Sequence, residues 1–194
     1  VVAAAVAAYV AIAHPFAGPL PGGWETHHEK NVAATLAVPE EYQPTLPDRS
    51  RDKGHWITYT DWSGSIWITL TLDRKAEDAG HDIADSAAAE MYDDDAKFKQ
   101  QGDYDLDMPS GKDTRTDPDG NATFHDRKAA GNTITYTTDD SNNPRPRAVR
   151  IFYYKTSKGD MYKLTVGYPG KGDFTERGKE VAKTAIANLD VDNL

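Results

Sequence analysis

The sequence predicts an α+β fold, an antiparallel sheet flanked by two helices, and three observations predict it. Residues 55–73 and 148–168 each hold two runs of alternating apolar and polar residues around a turn signal, the pattern of half-buried antiparallel hairpins. Residues 173–189 instead repeat their apolar positions at helical spacing. Strands and helices do not alternate regularly along the chain, which favours segregated α+β packing over a doubly wound parallel sheet. A chain of 194 residues can build one well-packed core, and two independent cores would be unusual at this size.

The elements follow in order. Residues 1–13, VVAAAVAAYVAIA, carry no charge, Gly or Pro. They are too short to span a bilayer alone and lack the polar stripe of a surface helix. The segment is expected to be the end of a transmembrane helix or the stub of a signal peptide, since Ala11-Ile12-Ala13 has a small-x-small pattern. Residues 14–23, HPFAGPLPGG, read as a Pro/Gly tether. The domain is expected to occupy residues 24–194, outside the cytoplasm under either reading.

WETHHEK and VAATLAVP predict two strands around a turn, the second stopped by Pro39. Residues 40–54 read as loop. HWITYT and SIWITLTLD form a hairpin turned at Asp61-Trp62-Ser63-Gly64, with Ile66, Ile68, Leu70 and Leu72 on one face. Residues 76–101 are Ala-rich and predict a helix with Ile83, Ala87, Met91 and Phe98 near one face. Residues 102–120 are polar, and TDPDGN is a turn signal. Strands are expected near Ala122–Arg127 and Asn132–Thr138, and SNNPRPR as a loop. AVRIFYYKT and MYKLTVGY form the second hairpin around Ser157-Lys158-Gly159-Asp160. The closing helix is expected to start at a capping box, Asp173-x-x-Glu176, with Val181, Ala182, Ala185, Ile186 and Leu189 as its apolar stripe.

Charge is uneven. Residues 73–119 carry fifteen acids and six bases, while residues 120–194 carry nine acids and twelve bases, within a net charge of −9. The acidic middle argues against a nucleic-acid partner and reads as a solvated, solubilising face. With no Cys in the chain, a disulfide framework, Cys-ligated zinc and a thiol nucleophile are excluded.

No catalytic motif emerges. None of His14, His27, His28, His55, His81 and His125 stands in a zinc-binding spacing, and His27 and His28 point to opposite faces of a strand. Trp62-Ser63-Gly64-Ser65 lacks the first glycine of a serine-hydrolase elbow and reads as a turn. The glycines of Gly167-Tyr-Pro-Gly-Lys-Gly-Asp precede a helix, where an anion can dock on free N–H groups, but they match neither phosphate-loop nor dinucleotide-binding spacing, so no cofactor is expected. Asp113, Asp117, Asp119 and Gly120 match a calcium loop poorly and fit a hairpin turn better. Asp93-Asp94-Asp95 reads as a solvated helix end, so no metal site is assigned. Asn121-Ala122-Thr123 fits a glycosylation sequon. The aromatics are left: Trp56 and Trp67 lie opposite their strands' aliphatics, and with Tyr153 and Tyr162 they either line a pocket for a small ligand or peptide or form a second layer of core.

One stretch carries a family resemblance. RIFYYKTSKGDMYKLTVGYPGKGDFTERGKEVAKTAIANLDVDNL resembles the C-terminus of the extracytoplasmic domains that follow the membrane helix in actinobacterial serine/threonine protein kinases. Gly23-Trp24-Glu25 leading into LAVPEEY resembles how such domains begin, with a strand ending in Val-Pro. The likeness covers residues 1–194 in layout and is specific over roughly 150–190. It implies a PsbP-like α/β/α sandwich, as in PsbP-type extrinsic proteins and certain mycobacterial lipoproteins, serving as a binding or sensor module. The chain departs from those lipoproteins in having no Cys to carry lipid, and it contains neither His-Arg-Asp nor Asp-Phe-Gly, so kinase activity would belong to an upstream part. The function so implied is a non-catalytic sensor domain, anchored to the membrane by its N-terminal segment, binding an unidentified small molecule, cell-wall fragment or peptide and able to pair as a homodimer. The alternatives are a free secreted or periplasmic protein of the same fold and, as an enzyme, a metal-assisted hydrolase built on Asp113 and Asp117.

Overall fold

In the computed structural model, residues 20–74, 87–88, 90–94, 114–138, 142–192 and 194 are described. The N-terminal apolar run, most of the tether, Ile83, Phe98, Asp113 and most of the acidic middle lie outside them. Among the described residues no helix is long and apolar enough to cross a membrane.

A seven-stranded, wholly antiparallel sheet organises the chain, in the order β3(Gln43–Thr45), β4(His55–Thr60), β5(Trp67–Asp73), β11(Met161–Pro169), β10(Pro146–Lys155), β9(Ala130–Thr137), β6(Arg115–Asp119). Both expected hairpins are present. The second places its strands, β10 and β11, at the centre of the sheet, where neighbours on both sides satisfy their backbone groups. A second sheet runs β1(Trp24–Glu29), β2(Ala34–Pro39), β12(Asp190–Val191). A two-stranded ribbon, β7(Thr123–Phe124) with β8(Arg127–Lys128), is the third sheet among the described residues.

The two faces of the large sheet are covered differently. On the first face Ile57, Ile66, Ile68, Leu70, Leu72, Leu164 and Val166 are buried against Leu36 and Val38 of β2 and against α1(Asp173–Ala187) through Val181, Ala182 and Ala185. Helix and sheet come very close at Gly178, where an added Cβ would lie 2.2 Å from Tyr168 Cβ. On the second face Ala130, Ile134, Val149, Ile151 and Tyr153 pack against Ala87 and Met91, which belong to helical residues 87–88 and 90–94. Asp94 of that segment is buried, with Lys163 Nζ 3.4 Å from its carboxylate, so the aspartate run is not wholly solvated as expected.

Other expectations are corrected. Residues 115–119 form the edge strand β6 rather than loop, and Pro118 is tolerated because its missing N–H falls on an edge. Residues 122–127 are not one strand: His125 and Asp126 both adopt positive φ, 48° and 62°, and fold a tight turn between β7 and β8. The closing helix has Gly172, at φ 97°, as its N-cap and no side-chain cap. Asp173 is already inside the first turn, so the capping box is absent. Short β3 arises where loop was expected and β12 where no element was assigned, each fixed by its pairing partner rather than by its own pattern.

Candidate functional site

The second face of the large sheet ends in an open cleft of about 520 Å³, built on three groups of residues. The first is the β4–β5 turn. Asp61, 9% exposed, accepts hydrogen bonds from the Ser63 hydroxyl at 2.8 Å and from the Ser65 and Ile66 N–H groups at 2.8 and 3.2 Å. This fixes Ser63, Gly64 and Ser65 as one wall and leaves Trp62 86% exposed beside them. The second is Trp67, whose indole lies over Gly167 of the neighbouring strand. A Cβ at Gly167 would meet Trp67 Cε2 at 2.2 Å, so only glycine admits the ring there. The third is the row Tyr136, Arg147 and Pro169, which cross-strand pairing puts side by side on β9, β10 and β11. Arg147 Nη1 donates to the Ser65 carbonyl at 2.9 Å, tying this row to the turn.

The remaining lining is Thr138, Arg145, Pro146 and Lys171. The Arg145 N–H donates to Thr138 Oγ1 at 2.9 Å, and the Gly170 N–H to the Pro146 carbonyl at 2.9 Å, so the loops that carry the cations are held to the strand ends. Among the described residues the lining holds three cations and no carboxylate; Asp139 and Asp140 lie outside them. In a chain of net charge −9 this is a local reversal of sign. Two aromatic rings beside fixed guanidinium and hydroxyl groups make a surface suited to non-covalent recognition.

The four aromatics singled out from the sequence do not converge. Trp67 lines the cleft and packs on the second-face core. Tyr153 shares that face but is fully buried in it. Trp56 is on the same face three strands away from Tyr153, about 14 Å at ordinary strand spacing. Its indole N–H is already committed to Asp52 at 2.6 Å. Tyr162 pairs with Leu72 and lies on the opposite, first face, its hydroxyl donating to the Ala33 carbonyl at 3.0 Å. Of the four, Trp67 alone belongs to the site. Sequence reasoning missed Tyr136, Arg145, Arg147 and Lys171, although the two arginines stand out in SNNPRPR and the lysine in the glycine run before the helix.

Elsewhere, His27 stacks on Tyr59 with ring centroids 5.4 Å apart, while His28 faces Asp192 at 3.0 Å, so the adjacent pair does point apart. Among the described residues no group of three or more His, Cys, Asp or Glu is placed to hold a metal ion. Asp117 is exposed on the edge strand β6, and Asp119 accepts from the Asn121 N–H at 3.0 Å, which makes that stretch a strand and turn rather than a calcium loop.

Among solved structures the fold has counterparts. The Ran-binding protein Mog1p of Saccharomyces cerevisiae matches with a TM-score of 0.53 at 8% identity, over 88% of this chain and 96% of that one. The cyanobacterial PsbP (CyanoP) of Synechocystis sp. PCC 6803 matches with a TM-score of 0.52 at 12% identity, over 90% and 99%. The chain has a PsbP- and Mog1-like α+β fold. A protein of Bacteroides thetaiotaomicron VPI-5482 shares it over 86% of this chain and 48% of its own length, with a TM-score of 0.52. At such identities the likeness is one of fold alone. No protein family and no curated protein matches the sequence.

Proposed function

We propose that this chain is a non-catalytic binding domain, the extracytoplasmic sensor of a membrane-anchored serine/threonine protein kinase. The observation that carries the binding reading is the cleft, where aromatic, hydroxyl and cationic groups from four stretches of the chain are fixed at strand ends. The fold supports it, since one of its counterparts is named a Ran-binding protein. The kinase connection rests on the apolar run at residues 1–13 and on the resemblance over residues 150–190. Occupancy of the cleft would then alter how outer domains pair, and through the membrane helix how kinase domains meet.

Binding is tested by adding a mixed library of neutral and charged fragments to the isotopically labelled chain and mapping amide shifts. Perturbations clustered at Ser63, Ser65, Trp67, Tyr136 and Arg147 support the reading, and shifts confined to other surfaces or absent altogether refute it. The kinase connection is tested by the coding sequence upstream of Val1. A long frame with a Gly-rich loop and His-Arg-Asp supports it. A Met and a few basic codons close by would instead favour the secreted protein that Ala11-Ile12-Ala13 suggests.

A further inference from the structure

Resting on the reading of the cleft as a binding site, we infer that its ligand is a small anion with a flat ring: a carboxylate or phosphate held by Arg147, Arg145 and Lys171, with the ring against Trp67 and Tyr136. Three features of the cleft point there together. The first is charge. The described lining concentrates three cations and no acid, although acids outnumber bases 31 to 22 over the whole chain. A cluster of like charges is destabilising by itself, and an anion between them removes that repulsion.

The second is preorganisation of the guanidinium. Arg147 is half-buried and spends Nη1 on the Ser65 carbonyl, which fixes the plane of the group. Arginine has five N–H donors, so the remainder can meet the two oxygens of a carboxylate or phosphate edge in parallel. Arg145 and Lys171 are exposed on flanking loops, where they can close on the anion from either side.

The third is the floor. Trp67 is held over Gly167 and Tyr136 is buried in the second-face core, so both rings are immobile before a ligand arrives. Immobile aromatic surface favours a flat apolar partner, because little conformational entropy is lost on contact. The volume of about 520 Å³ suits a small molecule.

The test titrates the full labelled chain with phenyl phosphate, phenylacetate, inorganic phosphate and benzyl alcohol, following amide and indole shifts. The two aromatic anions are expected to perturb Ser65, Trp67, Tyr136 and Arg147, and to bind about tenfold or more tighter than benzyl alcohol, which has the ring without the charge. Inorganic phosphate is expected to be weaker than phenyl phosphate, and the order of phenyl phosphate and phenylacetate tells phosphate from carboxylate as the preferred head. Arg147→Gln and the double variant Arg145→Gln/Lys171→Gln should each lose about tenfold for the anions and little for benzyl alcohol. The double variant alters only exposed side chains, so it keeps the test valid if Arg147→Gln disturbs the turn. Equal binding of benzyl alcohol and the anions at the cleft overturns the anion assignment while leaving the binding site in place. No cleft perturbation by any of the four probes overturns the anion assignment, and the fragment screen then decides separately whether the cleft binds anything.

Discussion

Replacing Gly178 by Ala sets two effects of opposite sign against each other. Within a helix interior Ala is better than Gly by about 1 kcal/mol, so propensity alone predicts a stabilised protein. The packing predicts the reverse. The new Cβ would lie 2.2, 2.3 and 2.7 Å from Cβ, Cγ and Cδ2 of Tyr168. Carbon atoms rest at about 3.5–4 Å, so the helix must retreat by more than about 1 Å. Rotating the tyrosine cannot relieve this, because Cβ does not move with χ1 and Tyr168 sits in β11, paired to Ala148 of the neighbouring strand. Forced overpacking costs about 1–3 kcal/mol, occasionally more. Retreat also strips contacts from Val181, Ala182 and Ala185, which the same helix buries. Approaches of 2.2 and 2.3 Å put this change in the upper part of that range, about 2–3 kcal/mol, so clash wins with a net loss of about 1–2 kcal/mol after the propensity gain is subtracted. At roughly 2–4 °C per kcal/mol for a chain of this size, the melting midpoint should fall by about 2–8 °C. Thermal unfolding followed by near-ultraviolet circular dichroism measures it, with exposed Lys183→Ala as a control expected to stay within about 0.5 kcal/mol. A midpoint equal to or above the parent's would show that the helix is not pinned at Gly178, and the close-packing argument would fail.

Gly167→Ala should displace the Trp67 indole, since the added Cβ would lie 2.2–2.5 Å from three indole atoms; altered tryptophan fluorescence and weaker ligand binding are expected, and an unchanged spectrum would refute the placement of the ring. Asp61→Ala leaves the Ile66 N–H without its side-chain acceptor and the Ser65 N–H with only Ser63 Oγ at 3.2 Å. Urea unfolding should show a loss of about 1–3 kcal/mol, and a loss near zero would mean the turn does not depend on this carboxylate. Burial pushes the Tyr42 phenol up to about 12 from 10.0, with Asp61 adding to the shift, and burial followed by the charge of Asp192 raises Tyr162 to about 12. Because these folded-state values lie above the unfolded one, the phenols' contribution to stability is intact below pH 10 and is lost as pH climbs towards 12. Denaturation midpoints should therefore decline across that window, and a flat profile with both phenols ionising near 10 would contradict the burial.

The hairpins and the closing helix were legible because each is specified locally. A period of two in SIWITLTLD and the apolar stripe from Val181 to Leu189 need no knowledge of their partners, and the buried positions follow them. What was illegible depended on partners. TDPDG carries turn chemistry in sequence, yet pairing with β9 extends residues 116–119 as a strand, and Pro118 survives because the edge asks for no donor there. Asp173-x-x-Glu176 has the capping spelling, but positive φ at Gly172 starts the helix one residue earlier than the box requires. The four aromatics lie apart for a related reason. Alternation says that residues of one strand share a face, but the register of β11 against β5 decides which faces coincide. That register sets Tyr162 beside Leu72 and away from Trp67. The contact that joins Arg147 to Ser65 spans 82 residues, far outside any local pattern.

The same architecture narrows how this domain can bind anything. Edge strands offer unpaired backbone groups to partners, and both edges of the large sheet are blunted: β3 is three residues long with Pro44 in its middle, and β6 carries Pro118 between two aspartates. Strand addition is therefore a poor route to a partner or to a second copy. The first face is filled by α1 and β2, and the second is covered at its centre by Ala87 and Met91. The end of the second face keeps the half-buried Trp67 and Arg147 beside exposed Arg145 and Lys171, and the loops that frame it are tied to strand ends. Pro169 and Lys171 of that cleft lead directly into α1, and farther along the same helix Arg177, Glu180, Val181 and Thr184 line a second cavity of about 500 Å³ with Pro21, Gly22, Gly23 and Trp24. One helix thus begins two residues after the cleft's Lys171 and lines the cavity beside residues 21–24. An anion drawing Lys171 inward would act on the first residues of a helix that lines that cavity. Gly178→Ala, which lifts the helix between the two, should for that reason alter ligand affinity as well as stability, and unchanged affinity in the folded variant would show that the two sites are energetically independent.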